Sequence, residues 1–304
     1  MTSSRPARIV AIGECMAELT PAGAPDTYRQ GFAGDTFNTA WYLARCGAGL
    51  EVAFFTAIGD DDMSAALRRF IGQSGVEDRL IRVVRGGTLG LYLVSLQNGE
   101  RSFTYWRGQS AARQLADDPD ALRAALAGAG IAYFSGITLA ILPPEGRAGL
   151  LAELATARAA GTRIAFDPNL RPRLWTDAEE MTRAIMAAAE LSDIALPSYE
   201  DEARWFGDAT PEATCARYAD AGARQVVVKN GAGDLLWQDG TRQGRFAVAP
   251  IAQTVDTTAA GDSLNAGVLA ELAEGGSLER GVVRGCALAR EVVQHRGALV
   301  KAAV

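Results

Sequence analysis

Six short β-rich apolar runs, at residues 8–13, 51–58, 131–135, 163–167, 193–196 and 225–229, recur between stretches with helical spacing. This alternation leaves few folds open, because parallel neighbours need a long crossover and that crossover is usually a helix. The expected fold class is therefore α/β, in three layers, with a mostly parallel central sheet covered by helices. Phe37, Ala40, Trp41 and Ala44 share one helical face, and Met63, Ala66, Leu67, Phe70 and Ile71 another. Both read as core stripes. At 304 residues, 48% hydrophobic, the chain has enough apolar surface for one large domain over 1–304.

One stretch breaks the rhythm. Residues 88–107 form two β-like runs about Asn98-Gly99, a favoured two-residue hairpin turn. With that pair as the loop, Gln97 faces Glu100, Tyr92 faces Tyr105 and Gly90 faces Arg107. Tyr92, Tyr105 and Arg107 then share a face. A hairpin inserted between α/β units is expected to project as a small β lid. Two phenols and a guanidinium on its inner face suit a polyhydroxy acid, although packed aromatics in an ordinary amphipathic hairpin give the same pattern.

Composition removes several functions. A net charge of −6 gives no general attraction for nucleic acid or anionic membranes. No apolar stretch approaches the ~20 residues of a membrane span, and no signal-peptide core follows Arg5 and Arg8, so a cytoplasmic location is expected. Cys15, Cys46, Cys215 and Cys286 lack any Cys-x-x-Cys spacing, so reduced thiols are expected. The one histidine, His295, rules out a His-rich metal site and reads as a structural residue near a helix end.

The segment Asp256-Thr257-Thr258-Ala259-Ala260-Gly261-Asp262-Ser263 sets a carboxylate behind a small-residue turn where a helix begins. First-turn N–H groups lack internal partners and carry the positive end of the helix dipole, so a phosphate can sit there. Ala259, Ala260 and Gly261 let an anion approach the main chain. Asp262, expected to be ionised at neutral pH, is placed to accept a proton from an attacking hydroxyl. The plainer alternative is a helix N-cap.

Three further segments carry polar groups at element ends. Gly34, Asp35 and Asn38 precede and open a helical stripe, with side chains suited to sugar hydroxyls and a glycine permitting close approach; a capped helix start is the alternative. Asp167-Pro168-Asn169-Leu170-Arg171 ends a buried strand, where open α/β sheets bind ligands. Arg171, between apolar and proline neighbours, does not look like a solvated charge, though an ion pair with Asp167 is open to it. Lys229-Asn230-Gly231-Ala232-Gly233 is a strand running into a glycine turn, suited to a nucleotide or simply to a hairpin. No P-loop is present.

Taken in order, these segments resemble the ribokinase-like, or PfkB, family of carbohydrate kinases, over essentially the whole chain. The resemblance implies a ribokinase-like fold, with Asp262 as catalytic base and Ala259, Ala260 and Gly261 holding the phosphoryl oxygens. It implies ATP and Mg²⁺ as cofactors, with Asn169, Arg171, Lys229, Gly231, Gly233 and Gly261 on the nucleotide side. Gly34, Asp35, Asn38, Tyr92, Tyr105, Arg107, Arg171 and Asp262 fall on the substrate side. Ser198 and Asp201 stand where many members carry Asn and Glu, which leaves their role open; Glu202 is another acid in that turn. Thr36, where most members have Gly or Ala, and the Tyr105-Trp106-Arg107 string look most like the branch acting on 2-keto-3-deoxygluconate. Arg107 and Arg171 independently suit a carboxylate, which neutral sugars lack. The implied partner is a small sugar acid, not nucleic acid or membrane, and the family's habits imply a homo-oligomer. The galactonate epimer, a fructose- or ribose-type substrate and a non-catalytic sugar-binding protein stay open.

Overall fold

A computed structural model describes residues 7–24, 26–47, 49–97, 100–251 and 253–304. In chain order the strands are β1 (Arg8–Ile12), β2 (Met16–Pro21), β3 (Tyr28–Ala33), β4 (Glu51–Ile58), β5 (Ile81–Val83), β6 (Leu91–Gln97) and β7 (Glu100–Trp106). They continue with β8 (Ile131–Ser135), β9 (Arg163–Asp167), β10 (Ile194–Ala195), β11 (Gln225–Val228), β12 (Leu235–Asp239) and β13 (Arg242–Phe246). The first helices are α1 (Asp35–Cys46), α2 (Asp62–Gln73), α3 (Pro119–Leu126), α4 (Gly136–Ile141) and α5 (Pro144–Ala159). The rest are α6 (Ala178–Leu191), α7 (Tyr199–Phe206), α8 (Pro211–Asp220), α9 (Ala260–Ala273) and α10 (Leu278–Val292).

Nine strands form one sheet in the order β13-β12-β11-β10-β9-β8-β1-β4-β5. It is parallel from β11 to β5, and only the edge hairpin of β12 and β13 runs antiparallel. β1 reads Arg-Ile-Val-Ala-Ile with no polar alternation because both its faces are covered. Ile9 and Ala11 join the core beneath α1, α9 and α10; Val10 and Ile12 join a second core beneath α3, α5 and α6. Two apolar layers flanking one sheet are the expected three-layer arrangement. All six sequence runs are strands of this sheet, three of them with the expected ends.

Helix α9 is apolar almost all round and buried along most of its length. It crosses α10 so closely that a Cβ on Gly267 would lie 2.5 Å from the Gly285 Cα. Helix α1 is fixed from the other end of the chain. The Tyr42 hydroxyl donates to the Ala298 carbonyl at 2.8 Å and accepts from the Val300 N–H at 3.0 Å.

The second sheet has four strands, β3-β2-β6-β7. Its β6–β7 pair has the expected register, with Tyr92 opposite Tyr105 and Gln97 opposite Glu100; the Asn98-Gly99 turn lies outside the described residues. The sequence reading missed β2 and β3, whose apolar-polar alternation is short. One expected core residue is corrected: Met63 is 36% exposed, because it lies in the first turn of α2, before the helix reaches the sheet. The four cysteines are free thiols, and His295 lies just past α10 with Nδ1 3.0 Å from the Glu291 carbonyl. No helix among the described residues is long and apolar enough to cross a membrane.

Candidate active site

The polar residues gather outside the carboxyl ends of the parallel strands, beside the point where the chain leaves β1 toward β4 on one side and β8 on the other. Strand connections diverge there, so a crevice opens without breaking the sheet. Helix α9 points its start into this crevice. Ala259 is its N-cap, in the left-handed region at φ 60, and no side chain caps the first turn. Holding a residue with a Cβ in that region costs about 1 kcal/mol. The Ala260 N–H donates to the Thr257 carbonyl at 3.2 Å, which leaves those of Gly261 and Asp262 without a partner among the described residues.

Asp262 is the third residue of α9 and does not cap it. Its Oδ2 instead accepts from Asn38 Nδ2 on α1 at 2.8 Å, while the Gly34 N–H donates to Asn38 Oδ1 at 3.3 Å. The expectation of an ionised Asp262 needs correction. Desolvation, then the nearby Asp35 charge, push its carboxyl up to about 8, against the opposing hydrogen bond from Asn38. At neutral pH and without ligands it is largely protonated. Asp35 accepts from Asn169 Nδ2 at 2.8 Å, and Asn169 itself sits at φ 37, a conformation asparagine tolerates better than most residues. The Asp35–Asn169 and Asn38–Asp262 pairs tie α1 to the β9 loop and to α9.

A second tier lies beneath. The Lys229 ammonium donates to Asp167 Oδ2 at 2.8 Å and lies 3.4 Å from Asn265 Oδ1, while Asn265 Nδ2 donates to Asp167 Oδ2 at 2.7 Å and to the Tyr133 hydroxyl at 3.1 Å. Lys229 therefore turns inward from its glycine turn. It remains close to the helix start, since a Cβ on Gly261 would sit 3.6 Å from its Nζ. Asp167 is taken up by Lys229 and Asn265, so Arg171 pairs elsewhere, with Asp201 at 3.8 Å. The reading of Arg171 as shielded from solvent is corrected: its side chain is 52% exposed.

Gly34 has a different reason from the one expected. A Cβ there would meet the Glu14 carbonyl at 2.0 Å, so the glycine admits the neighbouring backbone. Tyr92 and Tyr105 do share the lid's inner face, with ring centroids 5.7 Å apart. The Tyr92 hydroxyl donates to Glu18 and Arg107 Nη2 donates to Glu14. These two acids were not singled out from the sequence, although Glu14 lies just past the end of β1, where ligands collect in such sheets. Tyr133 and Asn265 were missed as well, because each reads as core on its own element.

Beside the helix start lies a cavity of about 450 Å³, bordered by Gly231, Ala260, Gly261, Phe246, Val248 and Cys286. Lys229 and Ser198 reach its polar end; Gly233 is not on its wall but packs against Asn230. An apolar slot ending beside the Gly261 N–H, unpartnered among the described residues, suits a flat ring carrying a phosphate tail. Glu202 is buried in the interior, bonded by Arg217 and Tyr218, and burial pushes its carboxyl up to about 7. It is a structural acid rather than a ligand of this crevice. Burial also raises the Asp201 carboxyl, partly offset by Arg171.

The chain matches the model of the pfkB family of carbohydrate kinases over residues 6–302. It is 39% identical over 303 residues to a 2-dehydro-3-deoxygluconokinase of Dickeya dadantii, covering 96% of each chain. It is 38% identical over 301 residues to the enzyme of that name from Escherichia coli, covering 96% of this chain and 97% of that one. A solved PfkB protein from Polaromonas superposes with a TM-score of 0.86 at 28% identity, covering 97% of both chains.

Proposed function

Since the chain belongs to the pfkB family of carbohydrate kinases, we propose that it is a cytoplasmic ATP-dependent 2-dehydro-3-deoxygluconokinase, forming the 6-phosphate of its sugar acid. What supports this reading is a carboxylate at an uncapped helix start together with a lid whose Tyr92 and Tyr105 share a face and whose Arg107 meets Glu14 just past β1. Its fold is ribokinase-like, and the whole chain acts as one kinase domain with a β lid. Homo-oligomers are expected, with exposed Tyr28 and Trp106, which share the lid's other face, as the natural contact.

Asp262 accepts the proton of the terminal hydroxyl, which Asn38 helps by fixing one carboxylate oxygen and leaving the other to the substrate. Asp35, Asn38 and the Gly34 backbone border the sugar. Arg107, with one nitrogen held by Glu14, offers its remaining outer N–H groups to the carboxylate. Arg171 is loosely held and swings toward substrate or nucleotide. When bound, ATP with Mg²⁺ supplies the phosphoryl group and neutralises part of its charge. The N–H groups of Gly261 and Asp262 and the Lys229 ammonium stabilise the rest of the transferred charge; the Ala260 N–H is taken by the Thr257 carbonyl. The ring fits the apolar cavity, and Gly231 borders it. No cluster of three or more His, Cys, Asp or Glu among the described residues could hold a metal ion.

The test is ADP release with ATP and Mg²⁺ on 2-dehydro-3-deoxygluconate, its galactonate epimer, gluconate, fructose and ribose. Turnover confined to the keto-deoxy acids supports the reading. Preference for a neutral sugar removes the arginine argument, and binding without turnover makes the chain a sugar-binding protein.

A further inference from the structure

Glu14 follows β1 and Gly13, on the rigid central sheet, and its side chain is 1% exposed. It meets Arg107, which follows β7 on the lid, through a single contact from Nη2 to Oε2. Glu14 Oε1 and Arg107 Nε are both buried without a hydrogen-bond partner among the described residues. A buried ion pair with two idle polar atoms is poorly built for stability, because desolvation of both charges is only partly offset. The surroundings nevertheless make room for it. A Cβ on Gly90 would lie 2.6 Å from Glu14 Oε1 and 3.2 Å from Arg107 Cβ, so only glycine fits opposite the pair.

We propose that Glu14 is a positioning residue: it holds the Arg107 guanidinium from the central sheet, so that the lid presents its remaining donors in a fixed direction to the substrate carboxylate. This rests on the reading of the site as a sugar-acid kinase. The planar guanidinium makes the arrangement direction-sensitive, since occupying one terminal nitrogen fixes the plane in which the other donates. The rival role is a mere staple between lid and sheet. A staple affects stability and both substrates, whereas a positioning residue acts on the sugar acid through Arg107 alone.

The experiment measures kcat, both KM values and the unfolding temperature for wild type, Glu14→Gln, Glu14→Asp, Arg107→Ala and the double variant Glu14→Gln with Arg107→Ala. Glu14→Gln is expected to raise the KM for 2-dehydro-3-deoxygluconate by about tenfold or more, with kcat and the KM for ATP within about threefold. Glu14→Asp, which keeps the charge on a shorter stem, should fall between the two, and it carries the same test if the glutamine variant does not fold. Adding Glu14→Gln to Arg107→Ala should change nothing further. An unchanged sugar KM, effects that multiply in the double variant, or equal losses for sugar and ATP would overturn the proposal. A wild type that phosphorylates no sugar acid sinks the substrate reading and this inference together; acid turnover unaffected by Glu14→Gln sinks this inference alone.

Discussion

As the proposed base, Asp262 carries opposing demands at one residue. A base must be ionised to accept a proton, yet burial and Asp35 keep this carboxyl protonated up to about 8. For the free enzyme, kcat/KM should therefore rise with pH through that region, and a profile flat from pH 6 to 9 would contradict it. Asp262→Asn should lower kcat by roughly 100- to 10,000-fold. The same variant should be the more thermostable protein. An acid whose pKa is higher folded than unfolded binds its proton more tightly when folded, so the native state loses stability as pH rises from 3.8 to about 8. The advantage of Asn over Asp should accordingly be absent near pH 4 and full above pH 8, as melting curves across that range would show. Three residues away, Ala259 holds a left-handed backbone that glycine adopts freely. Ala259→Gly is expected to stabilise by about 1 kcal/mol in denaturant unfolding; a destabilised variant would mean the turn is not strained.

At the scale of elements, α9 matters because its start is the proposed chemical centre and its body is buried in the core. Gly267 brings it against α10. Gly267→Ala should force the helices apart and cost about 1–3 kcal/mol, with kcat falling alongside stability because Asp262 travels with the helix. The parallel strands and helix stripes were legible in the sequence because each carries its own period. The β6–β7 register was legible too, since Asn-Gly fixes the count outward from the turn. Glu14 was not, because nothing local tells a buried acid after β1 from a solvated one; its partner lies 93 residues away. The possible Arg171–Asp167 pair failed for the same reason: that Lys229 and not Arg171 reaches Asp167 depends on how β9, β11 and α9 meet.

Across the whole molecule the proposed reading gives the two ligands different walls: the sugar α1 and the lid, the nucleotide the apolar slot between α9, α10 and the β11–β12 turn. Changes should separate accordingly. Arg107→Ala is expected to raise the sugar KM with the ATP KM nearly unchanged, and Ala287→Trp, which fills the slot, to do the reverse. Initial-rate kinetics with each substrate varied in turn would expose any crossover. The Tyr42 hydroxyl, bonded to Ala298 and Val300, adds a constraint in time. During synthesis, the helix that bears Asp35 and Asn38 leaves the ribosome early, but its last anchor emerges some 250 residues later. A nascent chain halted just before that point carries every strand and crevice residue but lacks the anchor that fixes α1, so translation that stops short should yield protein with a loosened crevice and impaired activity.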